Sequence, residues 1–161
     1  MTKVIKLYDS LADILSKGQD WFLLVIRLYW GWQFFQTGKG KLGNIAQVTE
    51  FFQSLNIPQP ALNAYLAGIT ECLGGLFLLL GLGVRLVNIP LIFTMVVAYL
   101  TAHRDSLQTL FSNPDGFFQQ DPFLFLFTAV IVLLFGPGKF SLEQVMRRYI
   151  GGECCRHDAE I

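Results

Sequence analysis

Charge is scarce in this chain, and neither sign dominates. Twelve Lys and Arg balance twelve Asp and Glu over 161 residues, and only 15% of the residues are charged, against about 25% in an ordinary soluble domain. Without a clustered basic excess, nucleic acid is not an expected partner. Cysteine is equally sparse: Cys72 lies in an apolar stretch, and Cys154 and Cys155 are neighbours near the end. That spacing builds neither a disulfide framework nor a zinc knuckle. With only His103 and His157 as histidines, on opposite faces, no His-rich metal site is expected, and a carboxylate-assisted one using Asp105, Asp115 or Asp121 is the weaker alternative. No Walker loop, catalytic triad or dinucleotide fingerprint occurs. The start lacks the apolar core and cleavage site of a signal peptide, so uncleaved insertion is expected.

What the chain has instead is apolar length, with 53% hydrophobic residues and fifteen Phe. The expected fold is all-α, an integral membrane four-helix bundle with N-terminal and C-terminal amphipathic surface helices. Val4, Leu7, Tyr8, Leu11 and Leu15 recur at helical spacing among charged residues, the pattern of a helix lying at a membrane surface, with Gly18 able to end it. Four spans follow, at about residues 19–37, 61–82, 86–102 and 122–136. The first carries Arg27, Gln33 and Gln36; the second is the clearest and holds one charge, Glu71. Between them, Ala46, Val48, Phe51, Phe52 and Leu55 predict a short amphipathic helix ended by Pro58 and Pro60. Gly81 to Arg85 make a tight link, and Pro90 falls near the start of the third span, where first-turn donors lack partners anyway. A polar loop occupies residues 103–121. Asp121 and Pro122 read as N-cap and first residue of the fourth span. That span is short for a hydrocarbon core of about 30 Å, so either Phe117 and Phe118 dip into the interface or the bilayer thins there. Ser141 and Gln144 form a candidate capping box for a last surface helix to Ile150, and residues 151–161 read as a flexible tail.

Basic residues orient the spans. Lys3, Lys6, Lys17, Arg85, Lys139, Arg147, Arg148 and Arg156 fall on one side, and Lys39, Lys41 and Arg104 on the other. Eight against three puts both termini in the cytoplasm of a bacterial-type inner membrane.

The charges inside spans are the candidate site. Inserting one costs about 2.5–3.5 kcal/mol at the helix centre, so such residues are seldom accidental. Counting 1.5 Å per residue from the cytoplasmic ends places Arg27 and Glu71 about 6 Å apart in depth, and both share stripes with small residues. An intramembrane Arg27–Glu71 pair is expected. It either locks two helices together or lines a cavity that orients a head group or relays protons. His103 at the end of the third span fits dipole stabilisation, and titration or metal ligation is the weaker reading. Lys41 reads as a solvated flank, with anion binding as the alternative. Gln33 and Arg85 complete the candidate ligand-binding set.

Taken in order, several motifs resemble the DoxX family of small four-helix membrane proteins. They are Arg27-x3-Gly31, Gly38-x2-Lys41-Leu42, Pro58-x-Pro60, Glu71-x2-Gly74-Gly75 with Gly81 and Arg85, Pro90, Ala98 with Ala102-His103, and Gly136-Pro137-Gly138-Lys139-Phe140-Ser141-Leu142. The likeness runs from Trp21 to Glu143 and implies a single DoxX-like domain over residues 1–161. The family takes its name from a membrane subunit of a thiosulfate:quinone oxidoreductase. Relatives are described as partners of redox or oxidative-stress proteins, and the extended 103–122 loop resembles that of members associated with metal stress. The resemblance therefore implies a quinone-facing subunit of a membrane oxidoreductase or stress complex, with Arg27 and Glu71 at the head-group site. The sequence holds no haem pair, flavin motif or iron–sulfur cysteine set, so electrons would come from a partner subunit or the quinone itself. A non-enzymatic membrane anchor or assembly partner is the second reading, as a homo-oligomer or with another protein. A small-solute or metal transporter ranks third, since four spans without an inverted repeat form a pathway only as an oligomer.

Overall fold

The computed structural model describes residues 2–146 and Tyr149, with side chains from Gly18 onward. The amphipathic stripe expected over residues 4–15 lies outside the described side chains. Arg147, Arg148, Ile150 and the tail with Cys154, Cys155 and His157 lie outside the described residues. Those described are all-helical, with no strand among them: α1 (Thr2–Gly43), α2 (Ile45–Ser54), α3 (Pro60–Leu80), α4 (Val84–Thr101), α5 (Arg104–Gln108), α6 (Pro114–Phe118) and α7 (Asp121–Phe135).

Local chemistry explains most boundaries. Pro60 opens α3 at its first turn, where the missing N–H costs nothing. Asn63 Nδ2 donates back to the Pro58 carbonyl at 2.6 Å. The other end of α3 closes on Gly81 at φ +69°. There the Leu82 N–H reaches the Phe77 carbonyl at 3.1 Å and the Gly81 N–H reaches Leu78 at 3.2 Å, the paired bonds of a Schellman motif. α7 starts at Asp121, so Gln120 rather than Asp121 is its N-cap. Ser141 accepts the Gln144 N–H at 3.2 Å, one of the two bonds of a capping box. The expected loop after α4 contains α5 and α6.

α1 departs most from expectation. It is one helix of 42 residues through Gly18 and on to Gly43, where a stop at Gly18 and a span ending at Thr37 were expected. Glycine weakens a helix by about 1 kcal/mol relative to alanine but keeps its N–H, so it does not force a break. A single residue, Asn44, separates α1 from α2.

Packing follows from small residues. α1 and α3 run antiparallel and in closest contact, α4 packs along α7, and α3–α4 and α1–α7 contacts close the ring. A Cβ at Gly38 would overlap the backbone of Cys72, one at Gly75 would overlap that of Phe35, and one at Gly31 would come within 3.0 Å of the Gly75 carbonyl oxygen. The backbones therefore touch, as small-residue seams allow. Inside the ring, Phe34, Leu78, Val84, Leu91, Met95 and Val132 form the apolar core.

The buried set also includes Arg27, Glu71, Asn88, Thr128 and Ser141, while Leu86, Phe93, Leu134 and many other large apolar side chains face outward. Water does not favour that arrangement, but hydrocarbon does. α3 and α4, with 21 and 18 residues, are long and apolar enough to cross a membrane, and α7 is a shorter apolar helix of 15 residues. These are about 32, 27 and 22 Å long at the helical rise.

The glycine seam yields the first prediction. Gly38→Val should lower stability by about 1–3 kcal/mol or more, because the overlap is with backbone that cannot rotate away. Gly18→Ala, which meets open space, should be neutral or mildly stabilising. Denaturant unfolding of both variants in mixed micelles checks the contrast.

Candidate functional site

Two buried charges were expected to meet, and the structure gives each a different partner. Glu71 is only 1% exposed, on the ring-facing side of α3 about 16 Å from its Pro60 end. Its Oε1 accepts from Lys41 Nζ at 2.5 Å, while the Lys41 side chain keeps 33% of its exposure. Lys41 stands in the last turn of α1, where the helix dipole favours a cation. Lys41 is thus not a solvated flank; it is the counter-ion of the buried carboxyl. The second oxygen, Oε2, is buried and has no hydrogen-bond partner among the described residues.

Arg27 is 1% exposed and sits at the opposite end of the ring. Its Nη1 donates to the Pro137 carbonyl and its Nη2 to the Phe140 carbonyl at 2.9 Å. Nε has no partner among the described residues. A Cβ added at Gly81 would lie 3.0 Å from Nη2, so the guanidinium fits only because that turn residue has no side chain. Nearby, Lys139 pairs with Asp20 at 2.9 Å, and the Glu143 N–H donates to the Gly81 carbonyl at 3.2 Å. Arg27 therefore ties α1 to the α3–α4 turn and to the segment after α7.

Register explains why the expected Arg27–Glu71 pair does not form. Gly31 faces Gly75, Gly38 faces Cys72, and Leu42 faces Gly68. In that register Arg27 is level with Gly81, ten residues from Glu71, or about 15 Å along the axis. The 6 Å offset had assumed that the two spans end at one depth. α1 extends past that level at both ends.

The remaining candidates are dispersed. Gln33 bonds Tyr29 on its own helix at 3.3 Å and takes no part in the Lys41–Glu71 site. Arg85 is exposed, with its guanidinium near Gly136. His103 occupies the N-cap position of α5 without a side-chain capping bond, and its ring lies 6.0 Å from that of Tyr99. Tyr99 stacks on Phe117 at 4.6 Å and donates to its carbonyl at 3.1 Å. Phe117 is thus held against Tyr99 and partly buried, and Phe118 is the half-exposed neighbour. Asn88 is fully buried on α4 with neither amide atom partnered among the described residues. A polar residue inside an apolar span was its only sequence signal.

Chemically, the two charges differ. Arg27 has its planar fork committed to fixed carbonyls and acts as a tie. Lys41 and Glu71 form a donor and an acceptor, with a second carboxyl oxygen buried and unpartnered among the described residues.

Comparison with known proteins places this geometry in context. A family model described as DoxX matches residues 22–104, from α1 through the end of α4, and includes both Lys41 and Glu71. A protein of Haemophilus influenzae (strain ATCC 51907 / DSM 11121 / KW20 / Rd), described as an uncharacterized protein, is 25% identical over 130 residues. That alignment covers 78% of this chain and 83% of the relative. No solved structure matches the chain.

A double-mutant cycle tests the partner assignment. Lys41→Met or Glu71→Gln alone should cost about 3–5 kcal/mol if the remaining charge stays buried, and the pair together less than the sum. The cycle between Arg27→Met and Glu71→Gln should be additive within about 0.5 kcal/mol, given a separation near 15 Å. Coupling in the second cycle and none in the first would reverse the assignment.

Proposed function

Because the chain belongs to the DoxX family, we propose that it is a multi-pass inner-membrane protein acting as a quinone-interacting subunit of a membrane oxidoreductase or redox and metal-stress complex. In this reading residues 1–161 form one domain. α1, α3, α4 and α7 cross the bilayer as a four-helix bundle, with both termini cytoplasmic and a partner protein supplying the electrons. The eight-to-three split of basic residues supports the orientation. The outward-facing apolar surface supports the embedding, and the bilayer thins or the flanks adjust at the 15-residue α7.

One observation carries the site: a buried carboxyl with an unpartnered oxygen beside a partly exposed ammonium group. An orphaned polar atom in hydrocarbon costs several kcal/mol unless something satisfies it. A quinone head group reached from the lipid offers carbonyl oxygens to the Lys41 donors and a hydroxyl to Glu71 when reduced. The quinone supplies the electron-carrying chemistry. Lys41 orients the head group through its remaining N–H donors, and Glu71 holds or releases a proton at Oε2. Arg27 keeps the far end of the bundle shut and does not touch the ligand.

The second reading is a non-enzymatic membrane anchor or assembly partner. The closed α1–α3 seam favours it, since no ligand fits between backbones already in contact at Gly31, Gly38 and Gly75.

Purification in native lipid followed by mass spectrometry of bound small molecules and proteins separates the two. Wild type should carry quinone, and Glu71→Gln and Lys41→Met should lose most of it while keeping the helical fold by circular dichroism. Wild type free of quinone, with an unchanged protein partner in every variant, would leave the anchor reading.

A further inference from the structure

The glycines at the end of α1 divide into two kinds. Gly38 is sterically required, because a Cβ there would overlap α3. Gly40 and Gly43 are not: a Cβ at either would meet nothing within 4 Å. Inside a helix, glycine without a packing reason only adds backbone freedom, making its turn easier to open. Both therefore soften the final turn of α1, and they bracket Lys41, whose amine covers Glu71.

The upstream part of α1 cannot follow such an opening. It is held at Gly31 and Gly38 by contact with α3, so movement is confined to the segment after Gly38. Beyond that segment the chain is anchored again, because α2 packs on α3, so the turn lies between two fixed supports. Leu42 rests on Gly68, and Asn44 donates to the Gly40 carbonyl through its backbone N–H at 3.1 Å and its side chain at 3.3 Å, while its own carbonyl accepts the Val48 N–H of α2 at 3.1 Å. Beneath the turn, Glu71 presents a buried oxygen with no partner among the described residues.

We infer that the Gly40–Gly43 turn is a hinge that lifts Lys41 from Glu71 and opens the buried carboxyl to a hydrogen-bonding ligand from the surrounding lipid. The inference rests on the head-group reading of the Lys41–Glu71 site and adds how that site is reached. In the closed state Lys41 covers Glu71 while Leu42 sits on Gly68 one turn away; in the open state Oε2 and the freed Oε1 face the entrance.

The test uses the full chain in lipid nanodiscs and dicyclohexylcarbodiimide, a lipid-soluble reagent that converts an accessible carboxylic acid to an N-acylurea. Peptide mass spectrometry reads the modification rate at Glu71. Wild type should label at a measurable rate, Lys41→Met faster, and Gly40→Ala/Gly43→Ala about tenfold slower, from the helix preference for alanine at two positions. Gly18→Ala, another glycine with open space around it, should label as wild type does. Equal rates in wild type and the double alanine variant would overturn the hinge. So would an unlabelled wild type, or a Lys41→Met variant that labels no faster. Because the reagent needs no quinone, the two ideas fail separately. Equal labelling with quinone bound sinks the hinge alone, and slowed labelling without any bound quinone sinks the head-group reading alone.

Discussion

A carboxyl placed halfway along an apolar helix must find a partner inside the protein, and Glu71 imposes that demand on everything around it. Its counter-ion comes from a different helix, and Lys41 reaches it only if α1 continues past Gly38 without breaking. That continuation is possible because the α1–α3 seam is lined with glycines, so that the two axes approach closely enough for one lysine side chain to span them. Gly68 then leaves room for Leu42 beside the crossing lysine. The ion pair, the length of α1 and the placement of glycines are one solution to a single problem of solvation.

Much of the architecture was legible because its signals are local. Pro60, the Gly81–Gly83 turn, and the Gly136-Pro137-Gly138 stop each act through the backbone of a few residues, and the helix ends fall within a few residues of those marks. The apolar stripe with Glu71 on its inner side was legible for the same reason. The partner of Glu71 was not, since it depends on the relative depth of two helices, which no local pattern encodes. Gly18 read as a terminator when it lies within one continuous helix, and the span read as ending at Thr37 continues through Gly38, a contact residue of the α1–α3 seam. Lys41 does fall close to the stripe of Arg27, Gly31, Phe34 and Gly38. Extending that stripe one more turn would have found it.

The two buried charges also separate tasks that the sequence had joined. Arg27 is consumed by carbonyl oxygens that carry no net charge, so it fixes geometry without offering reactivity. Glu71 keeps one oxygen uncommitted beside a partly exposed amine. A guanidinium held by backbone carbonyls and a carboxyl with one unpartnered oxygen therefore occupy opposite poles of the same small bundle.

The tie at Arg27 bears on how the protein is made. The carbonyls that hold it lie 110 and 113 residues further along the chain, beyond every other helix of the ring. Until that segment has been synthesised, the guanidinium lacks the two carbonyl acceptors that hold it in the folded bundle. Its withdrawal into the bundle can occur only after Phe140 has emerged. The segment after the last apolar helix thus completes a tie whose other half lies in the first helix.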